Sequence, residues 1–509
     1  MVPQGPTPGN QALQHSSSFE DGTALTAASE VAEATAALLR SEVSDWPQLG
    51  LTEQKHRTVR RVFSGRLGEV DVYIKVFRAD TIAAKARHTL RRRHKGEREA
   101  LNLQAARDAD LPAVQPLAFG LARDGRERCS FLVTRSADAA PFNLACDDRV
   151  AAAAGALIRR IHDAGMQPED LHGGNLLITG DGHPMLCDLT SLHRVGALSV
   201  RARAQALAFF CNPADGGPLD PTARALLAGY TAAGALTDAF PRELARATRR
   251  LRATSVRSFG RRSTRSCKHT EAEPRRRATP RWFWFIGEGD VDRRLRADVA
   301  AFTPAAQAPR REGRRGGVWL CDAFAVKDRE AGKARKLWRA HYWLLFAGVT
   351  TPTPVALQLH AGRGRVFVQR IQGPDLATEL LDGAVNEPEV AEAARALGRA
   401  VGRMHGHGLR NRDLKFENLI RIPGSEQVAM VDLDGVTLHS AEDTRGCGRD
   451  LGRLLAAWQD AGEPGGPLAA QRFLFASARA RRRLLQDPPI PRILAHAARR
   501  AKEWQQRHC

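Results

Sequence analysis

Two stretches of the chain share one order of hydrophobic and polar segments. Each begins with a short run of alternating apolar residues that carries a Lys near its end, "VDVYIKVF" and "DAFAVKDR", and this pattern predicts a strand. A charged helical segment follows in each, and a Pro-marked run then predicts a further strand, "LPAVQPLAFG" and "TTPTPVALQ". The repeated order indicates one fold used twice.

The second half of each stretch repeats as well. Ala-rich segments with helical periodicity, "RVAAAAGALIRRIHDAG" and "EVAEAARALGRAVGRMHGHG", lead into polar loops, "MQPEDLHGGNLLI" and "LRNRDLKFENLI". Strand-like runs that contain an Asp, "HPMLCDLTSL" and "QVAMVDLDGV", close each series. We therefore expect an α+β chain with two tandem domains, at residues 46–252 and 282–509.

The segments outside the two copies have a different composition. Residues 1–45 are rich in Pro, Gly, Ser and Ala, which predicts a disordered leader. Residues 253–281 are basic, rich in Ser and Thr and nearly free of aliphatic residues, which predicts a linker. The aromatic run "WFWF" directly after it either opens the sheet of the next domain, which we favour, or dips into a membrane interface.

Composition narrows the class of protein. Of the 509 residues, 43% are hydrophobic and 26% charged, the balance of a globular domain protein, and no apolar run approaches the roughly 18 residues of a membrane span. The first residues lack the layout of a secretory signal, so the cytoplasm is the expected compartment. The eight cysteines form no CxxC pair, which argues against a zinc ribbon, a redox motif or a disulfide framework.

The charge balance indicates the kind of partner. Lys and Arg number 77 against 56 Asp and Glu, a formal net charge of +21. Such a chain is expected to be attracted to polyanions, whether nucleic acid, anionic lipid or a phosphorylated glycolipid. Arg dominates the excess, which a GC-rich genome also produces, so charge narrows the partners without choosing among them.

A set of polar residues recurs at the same spacing in both copies. A His, a Gly, an Asp and an Asn are separated by three, five and five residues. The sets are His162, Gly165, Asp170 and Asn175 in the first copy and His405, Gly408, Asp413 and Asn418 in the second. The strand Asp follows the Asn by thirteen residues in the first copy (Asp188) and by fourteen in the second (Asp432). Each set follows a strand Lys, and the two His are interpreted as structural residues at helix ends.

These residue types suit phosphoryl transfer from ATP, which demands position and charge neutralisation more than covalent chemistry. A strand Lys can hold phosphates, and an Asp after a helix can take the proton of the attacking hydroxyl. An Asn amide oxygen and an Asp carboxylate are the hard ligands that magnesium prefers. The spacing therefore predicts a kinase-type site in each copy.

Both copies resemble the lipopolysaccharide kinase (Kdo/WaaP) family, bacterial members of the protein-kinase-like fold that phosphorylate sugars of the lipid A core. The resemblance lies in "RDLKFENLI", "VDLDGV", "GRDLGRLL" and "AGVTTPTPVAL" of the second copy. The first copy's "EDLHGGNLLI" is also similar to the loop of aminoglycoside-phosphotransferase-like kinases. The resemblance implies two protein-kinase-like domains, each with a small sheet-containing N-lobe and a helical C-lobe, and it implies ATP and Mg²⁺ as cofactors.

In the first copy the resemblance implies that Lys75 binds phosphate, with Glu99 of "EREALNL" as its partner on the following helix. Asp170 would be the catalytic base, and Asn175 and Asp188 would hold magnesium.

In the second copy Lys327 takes the phosphate role and Asp413 that of the base. Asn418 and Asp432 would bind magnesium, and Lys415 would reach the γ-phosphate.

The chain departs from the kinase pattern at several positions. The loop His of protein kinases is Pro168 in one copy and Asn411 in the other. The helix Glu expected in the second copy falls near His341, and no acid follows Glu330 on that segment. In the first copy Glu97 competes for the helix Glu role.

The favoured activity is phosphorylation of a sugar hydroxyl on a lipopolysaccharide-core-type glycolipid, at an anionic membrane surface on the cytoplasmic side, with no nucleic-acid partner favoured. Three alternatives stay open: a Ser/Thr protein kinase, a small-molecule kinase, and a chain in which one copy is a pseudokinase scaffold. The sequence indicates no oligomeric state.

Overall fold

The structure, a computed structural model, describes residue 13 and the following ranges: 15–18, 23–57, 60–78, 94–125, 127–212, 221–274, 279–286, 293–304, 309–310, 316–381, 387–422, 424–441, 443–484 and 490–508. Within them the chain is a mixed α/β protein that divides into two compact units. The described residues up to Leu244 form unit 1, and those from Ala245 onward form unit 2. None of the described helices is both long enough and apolar enough to cross a membrane.

Unit 1 begins with a seven-stranded antiparallel sheet in the order β1-β2-β6-β7-β5-β4-β3. Its strands are β1 (His15–Ser18), β2 (Ala24–Ala27), β3 (Thr52–Arg57), β4 (Arg60–Leu67), β5 (Val70–Phe77), β6 (Pro116–Asp124) and β7 (Glu127–Arg135). Helices α1 (Ser29–Leu38) and α2 (Lys95–Asp108) accompany the sheet, with a 3-10 helix at Val43–Leu49. The buried rings of Trp46, Phe63 and Phe131 belong to its core.

The rest of unit 1 is mainly helical. Its helices are α3 (Asp148–Asp163), α4 (Val200–Phe210), α5 (Pro221–Ala232) and the first residues of α6 (Phe240–Arg262). Short antiparallel ribbons connect them: β8 (Ala139–Pro141), β10 (Leu176–Thr179) and β11 (Pro184–Leu186) in one, β9 (Met166–Pro168) and β12 (Leu192–Arg194) in the other. The predicted loop "MQPEDLHGGNLLI" therefore begins with β9, directly after α3, and ends within β10.

Unit 2 repeats this plan with a six-stranded antiparallel sheet, in the order β13-β14-β17-β18-β16-β15. Its strands are β13 (Thr270–Ala272), β14 (Arg281–Phe285), β15 (Val318–Leu320), β16 (Phe324–Glu330), β17 (Pro354–His360) and β18 (Arg363–Gln369). Two ribbons follow, one of β19 (Leu409–Asn411) with β22 (Val436–Leu438), the other of β20 (Leu419–Arg421) with β21 (Val428–Met430).

The helices of unit 2 lie mostly after its sheet. They are α7 (Arg293–Ala301), α8 (Ala331–Phe346), α9 (Leu376–Leu381), α10 (Glu387–Gly406), α11 (Thr444–Asp460), α12 (Gly466–Leu484) and α13 (Ile490–His508). A large apolar core joins α8 to the later helices and includes the fully buried Trp338, Val401 and Met404.

The prediction of a disordered leader at 1–45 is wrong for its described residues. Strand β2 pairs with β6, and one face of α1 buries Val31, Thr35 and Leu38. Small residues dominate this segment, but the spacing of those three places them on one side of a helix, where burial stabilises them.

The prediction of a linker at 253–281 is also wrong where the structure describes it. Helix α6 continues to Arg262, Val256 is fully buried within unit 2, and the Trp338 indole donates to the Ser263 carbonyl at 2.7 Å. The run "WFWF" forms β14, which pairs with β17 as the sheet interpretation expects. A basic composition concealed these contacts, since Arg residues on the outer face of a helix leave few apolar positions in the sequence.

Candidate functional site

In unit 1 the strand Lys forms a buried ion pair. Lys75 lies on β5, between β7 and β4, and its Nζ contacts Glu99 Oε1 of α2 at 2.5 Å. The Glu99 side chain is fully buried and that of Lys75 is 12% exposed. Glu97 does not make this contact; its backbone N–H donates to the Nδ1 atom of His94 at the start of the helix.

The strand-end carboxylate of unit 1 is held by other groups. Arg60 of β4 donates to Asp188 Oδ2 at 2.8 Å, and the Thr190 hydroxyl lies 3.1 Å from Asp188 Oδ1 and 3.0 Å from Glu99 Oε2. Burial alone would raise the pKa of Asp188, but Lys75 and Arg60 lower it below its usual value, so the carboxylate is ionised. Asp188 has a left-handed backbone with φ of 60°, an uncommon state for a non-Gly residue.

The loop of unit 1 brings its Asp and Asn together. Asn175 Nδ2 donates to the Asp170 carbonyl at 2.7 Å, and the Asn175 carbonyl accepts the N–H of Cys187 at 2.9 Å. Cys187 precedes Asp188, so this bond places the Asn beside the strand-end Asp. The Asp170 side chain is exposed.

In unit 2 the strand Lys contacts the strand-end Asp directly. Lys327 Nζ of β16 lies 2.9 Å from Asp432 Oδ1 and 3.9 Å from Asp434 Oδ2. Arg329, on the same strand, binds Asp434 Oδ2 at 2.9 Å. Burial alone would raise the pKa of Asp432, but Lys327 outweighs this and lowers it. Asp432 is thus ionised, and its Oδ1 also accepts the Asp434 N–H at 3.2 Å.

The loop of unit 2 is joined to the backbone of the same Asp. Asn418 Nδ2 donates to the Asp413 carbonyl at 2.9 Å and to Asp413 Oδ2 at 3.2 Å. Asn411 Oδ1 accepts the Asp413 N–H at 3.0 Å, and Asn411 Nδ2 donates to the Asp432 carbonyl at 3.4 Å. The Asn418 carbonyl accepts from Val431, the residue before Asp432, as in unit 1. Lys415 is exposed at the start of the short helix that carries Asn418.

The helix carboxylate of unit 1 has no counterpart in unit 2. The same kind of backbone hydrogen bond closes both helices. After α2 the Leu111 N–H donates to the Ala106 carbonyl, and after α8 the Val349 N–H donates to the Leu344 carbonyl, in each case five residues back. Aligning these ends places Leu337 at the position of Glu99, which corrects the expected position near His341. His341 is buried against the Pro352 carbonyl, and burial followed by the charge of Lys327 lowers its pKa to about 3.

A buried charged cluster lies behind the loop of unit 2. His405 Nε2 contacts Asp450 Oδ2 of α11 at 3.2 Å, and both side chains are 1% exposed. Arg410 Nε lies 3.7 Å from the same oxygen, and its guanidinium also pairs with Asp443. Burial alone would lower the pKa of His405, but Cys447 and Asp450 raise it to about 9.

Unit 1 replaces this cluster with a mostly neutral one. Aligning the N-caps of α4 and α11, Ser199 and Asp443, places Ala206 where unit 2 has Asp450. His162 Nδ1 instead contacts the Tyr230 hydroxyl at 2.9 Å, and burial, reinforced by Arg203, lowers the His162 pKa to about 3.

Sequence reasoning missed several residues at these sites. Arg60 lies 128 residues before Asp188 and Thr190 lies two residues after it, and only their contacts with Asp188 disclose them. Asp450 could have been found, because it is the one acid in the quoted segment "GRDLGRLL" and lies at an apolar-face position of a helix.

Each donor set fits magnesium. The Asn side-chain N–H groups are directed to the loop, which leaves the amide oxygens for a cation, and both strand-end Asp residues are ionised. Magnesium takes one or two protein oxygens together with waters and substrate phosphates. The described residues hold no group of three His, Cys, Asp or Glu that would suit a metal bound by protein alone.

Comparisons with known proteins give distant structural neighbours. No family model and no curated protein matches the sequence. Among solved structures, WaaP in complex with acyl carrier protein is 17% identical with a TM-score of 0.29, covering 44% of this chain and 94% of that one. The crystal structure of WbdD is 16% identical with a TM-score of 0.26, covering 39% and 50%. The bifunctional kinase-methyltransferase WbdD is 16% identical with a TM-score of 0.25, covering 37% and 47%.

Proposed function

We propose that this chain is a phosphotransferase that uses ATP and magnesium, with one kinase-like domain in each unit. The observation that supports it best is the convergence in unit 2 of residues far apart in sequence. Lys327 and Asp432 lie 105 residues apart and meet at 2.9 Å. Asn411 bonds to the backbone carbonyl of Asp432 and to the backbone N–H of Asp413. The residues proposed to bind phosphate, to bind metal and to act as the catalytic base therefore form one connected network.

The roles follow from the chemistry of each group. Lys327 in unit 2 and Lys75 in unit 1 bring a positive charge to the nucleotide phosphates. Asp413 and Asp170 are exposed carboxylates, each in a loop whose Asn donates a hydrogen bond to the backbone carbonyl of that Asp. There each accepts the proton of an attacking hydroxyl. Bound magnesium would neutralise charge on the phosphates, held by the Asn amide oxygen and the strand-end carboxylate.

The favoured acceptor is a sugar hydroxyl of a lipopolysaccharide-core-type glycolipid, met at the cytoplasmic face of an anionic membrane. This finer proposal rests on the sequence resemblance of "RDLKFENLI", "VDLDGV" and "GRDLGRLL" and on the net charge of +21. Each Lys or Arg near an anionic surface contributes about 1 kcal/mol to adsorption.

One observation weighs against a Ser/Thr protein kinase. Only residues 433–443 separate Asp432 from α11, and within them the chain already forms β22. An activation segment that ends in an A-P-E-like anchor requires some 20 to 30 residues in protein kinases. A small-molecule kinase needs no such segment and stays the second candidate.

The test is phosphate transfer by the full chain to a purified lipid A–core glycolipid, followed by mass spectrometry of the glycolipid. Wild type, Asp170→Asn, Asp413→Asn and the double variant are compared, with Asp181→Asn, an exposed turn residue, as control. Loss of a base is expected to reduce the rate of its own site by about 10²- to 10⁴-fold.

The outcomes separate the alternatives. If one single variant is inactive and the other is unchanged, one unit is the enzyme and its twin a pseudokinase. If ATP is consumed without phosphate on the glycolipid, the acceptor is wrong. If Mg-ATP neither turns over nor raises the melting temperature, the phosphotransferase proposal fails; ligand at 100 times its Kd should stabilise by about 2.7 kcal/mol.

A further inference from the structure

Unit 2 contains a basic groove between α11 and α13 whose lining includes none of the candidate catalytic, phosphate-binding or metal-binding residues. It has a volume of about 470 Å³ and is lined by six charged or titratable residues. They are Arg445, Arg449, His496, Arg499, Arg500 and Glu503. Four guanidinium groups therefore face one carboxylate, which gives the groove a strong positive potential.

The groove is built by helix geometry. Arg445, Arg449 and Arg453 follow one another at four-residue spacing, so they share one face of α11. Like charges at this spacing destabilise a helix. Helix α13 approaches that face closely because two glycines allow it: a Cβ on Gly448 would lie 2.4 Å from His496 Cβ, and one on Gly452 would lie 2.7 Å from Arg500 Cβ.

Most of the positive charge is left for a ligand. Glu503 pairs with Arg500 at 3.1 Å, and Arg499 contacts His496 Nδ1 at 2.9 Å. In the described part of the chain, Arg445 and Arg449 form no ion pair with a carboxylate. Among the described residues, Arg445 and Arg449 therefore bring positive charge to the groove without a paired carboxylate, at a cost in helix stability.

Arg453 connects the groove to the candidate base. It is half-buried, and its pKa is lowered by burial and by the like charges of Arg500 and Arg449, while Asp413 acts on it in the opposite direction. Arg453 thus lies within electrostatic range of both the groove and the loop.

Unit 1 carries fewer cations at the matching positions of its described residues. Under the same N-cap alignment, Arg445 corresponds to Arg201, but Arg449 corresponds to Gln205 and Arg453 to Phe209. The run of three arginines on one helix face is thus a property of unit 2.

We infer that this groove binds a phosphate group carried by the acceptor. That the phosphate belongs to an acceptor rests on the proposed function, whereas the anion site itself does not depend on it. Guanidinium groups from two helices match phosphate oxygens through charge-assisted hydrogen bonds. The phosphate could belong to a phosphosugar or to a lipid headgroup, and the two sources are separated below.

The probe is inorganic pyrophosphate, titrated calorimetrically into the full chain with saturating Mg-ADP, which covers the candidate nucleotide sites. Arg449→Gln/Arg499→Gln, two exposed substitutions of which the first copies the residue of unit 1, should weaken pyrophosphate binding about 10-fold or more. Arg492→Gln, exposed on α13 outside the groove, is the matched control and should bind as wild type does.

Equal pyrophosphate binding by wild type and the double variant would overturn the groove inference, whatever the ATP experiment gives. Conversely, groove binding without any response to Mg-ATP would overturn the proposed function alone. Phosphatidylcholine vesicles with and without phosphatidylglycerol form the second arm. If only vesicle binding depends on the two arginines, the groove adsorbs to lipid headgroups and the acceptor phosphate is wrong.

Discussion

The two units differ in which carboxylate holds the strand Lys. In unit 1, Lys75 pairs with Glu99, and Asp188 is left to Arg60 and Thr190. In unit 2, a Leu takes the place of that Glu, and Lys327 pairs with the strand-end Asp itself. A cation arriving at unit 2 must therefore share its carboxylate with Lys327, whereas in unit 1 it must share Asp188 with Arg60. Matching spacings in sequence do not produce matching electrostatics.

The buried side chains behind the two loops also differ in their charge. Unit 2 places the Asp450 side chain between His405 and Arg410, while unit 1 has Ala206 there and a neutral His162 against Tyr230. A buried charge restricts the positions of its neighbours, but removal of any one of its partners leaves an uncompensated charge in the interior and is strongly destabilising. The loop of unit 2 is thus more strongly fixed and more easily disrupted than the loop of unit 1.

The largest expected effect comes from removing the buried charge of unit 2. Asp450→Asn removes the buried carboxylate that His405 and Arg410 share and leaves Arg410 with Asp443 alone. We therefore expect the free energy of unfolding of unit 2 to fall by about 3–5 kcal/mol. Urea unfolding of the full chain, followed by hydrogen exchange in α10 and α11, measures it. Asp460→Asn, exposed on the same helix, is the control. A loss equal to that of the control would show that the cluster carries no net charge coupling.

The next effect tests the separate carboxylate of unit 1. Glu99→Gln removes the charge that neutralises Lys75 and is expected to cost about 1.5–3 kcal/mol, the range for hydrogen bonds to charged groups. Glu97→Gln, half-buried on the same helix, should stay within about 0.5 kcal/mol of wild type. Both values come from urea unfolding of the full chain. If the two variants cost the same, the ion pair does not distinguish Glu99 from its neighbour.

A Leu at the same position sharpens the comparison. Glu99→Leu gives unit 1 the residue of unit 2, and we expect Lys75 to turn to Asp188, whose pKa already responds to it. A structure of that variant with Lys75 still directed to the helix would contradict this account of unit 2.

The paired histidines predict opposite responses to pH. The folded-state pKa of His162, about 3, lies below the unfolded value of about 6.5, so the unfolded chain binds more protons and stability falls as pH drops below 6.5. The folded-state pKa of His405, about 9, lies above that value, so its contribution is complete below pH 6.5 and is lost as pH rises towards 9. Each slope approaches about 1.4 kcal/mol per pH unit at most.

The measurement is the melting temperature of the full chain against pH for wild type, His162→Gln and His405→Gln. The first variant should flatten the acidic side of the profile and the second the alkaline side. If both variants flatten the same side, the two clusters do not differ in charge as described.

The sequence was most informative where chemistry repeats. The order of strands, helices and loops in the two copies followed from periodicity and spacing, while the family resemblance implied the pairing of Lys75 with a helix Glu. Local patterns did not predict the replacement by Leu337, because the segment before each strand contains two prolines and the sequence does not show which of them opens the strand. In the structure Pro116 opens one strand and Pro354 the other, 17 residues after Glu99 and 17 residues after Leu337 respectively. They also could not disclose the bond between Arg60 and Asp188, which lie 128 residues apart and meet only when the sheet forms.

The smallest expected effect concerns the two N-caps. Ser199 Oγ accepts the Ala202 N–H at 3.2 Å, and Asp443 Oδ1 accepts the Gly446 N–H at 2.9 Å. Replacement of Ser199 by Ala should cost about 1 kcal/mol. Asp443→Ala should cost about 2 kcal/mol, because this residue also pairs with Arg410 and the lost hydrogen bond to a charged group adds to the lost cap.

A third variant separates these two contributions in unit 2. Asp443→Ser keeps an oxygen for the cap but removes the charge, so it should cost less than Asp443→Ala and isolate the ion pair with Arg410. All three are measured by urea unfolding with hydrogen exchange at the first turns of α4 and α11. If Asp443→Ala lowers the free energy of unfolding no more than Ser199→Ala does, then Asp450 alone neutralises the charge of Arg410. The charge of unit 2 would in that case be concentrated on one buried carboxylate.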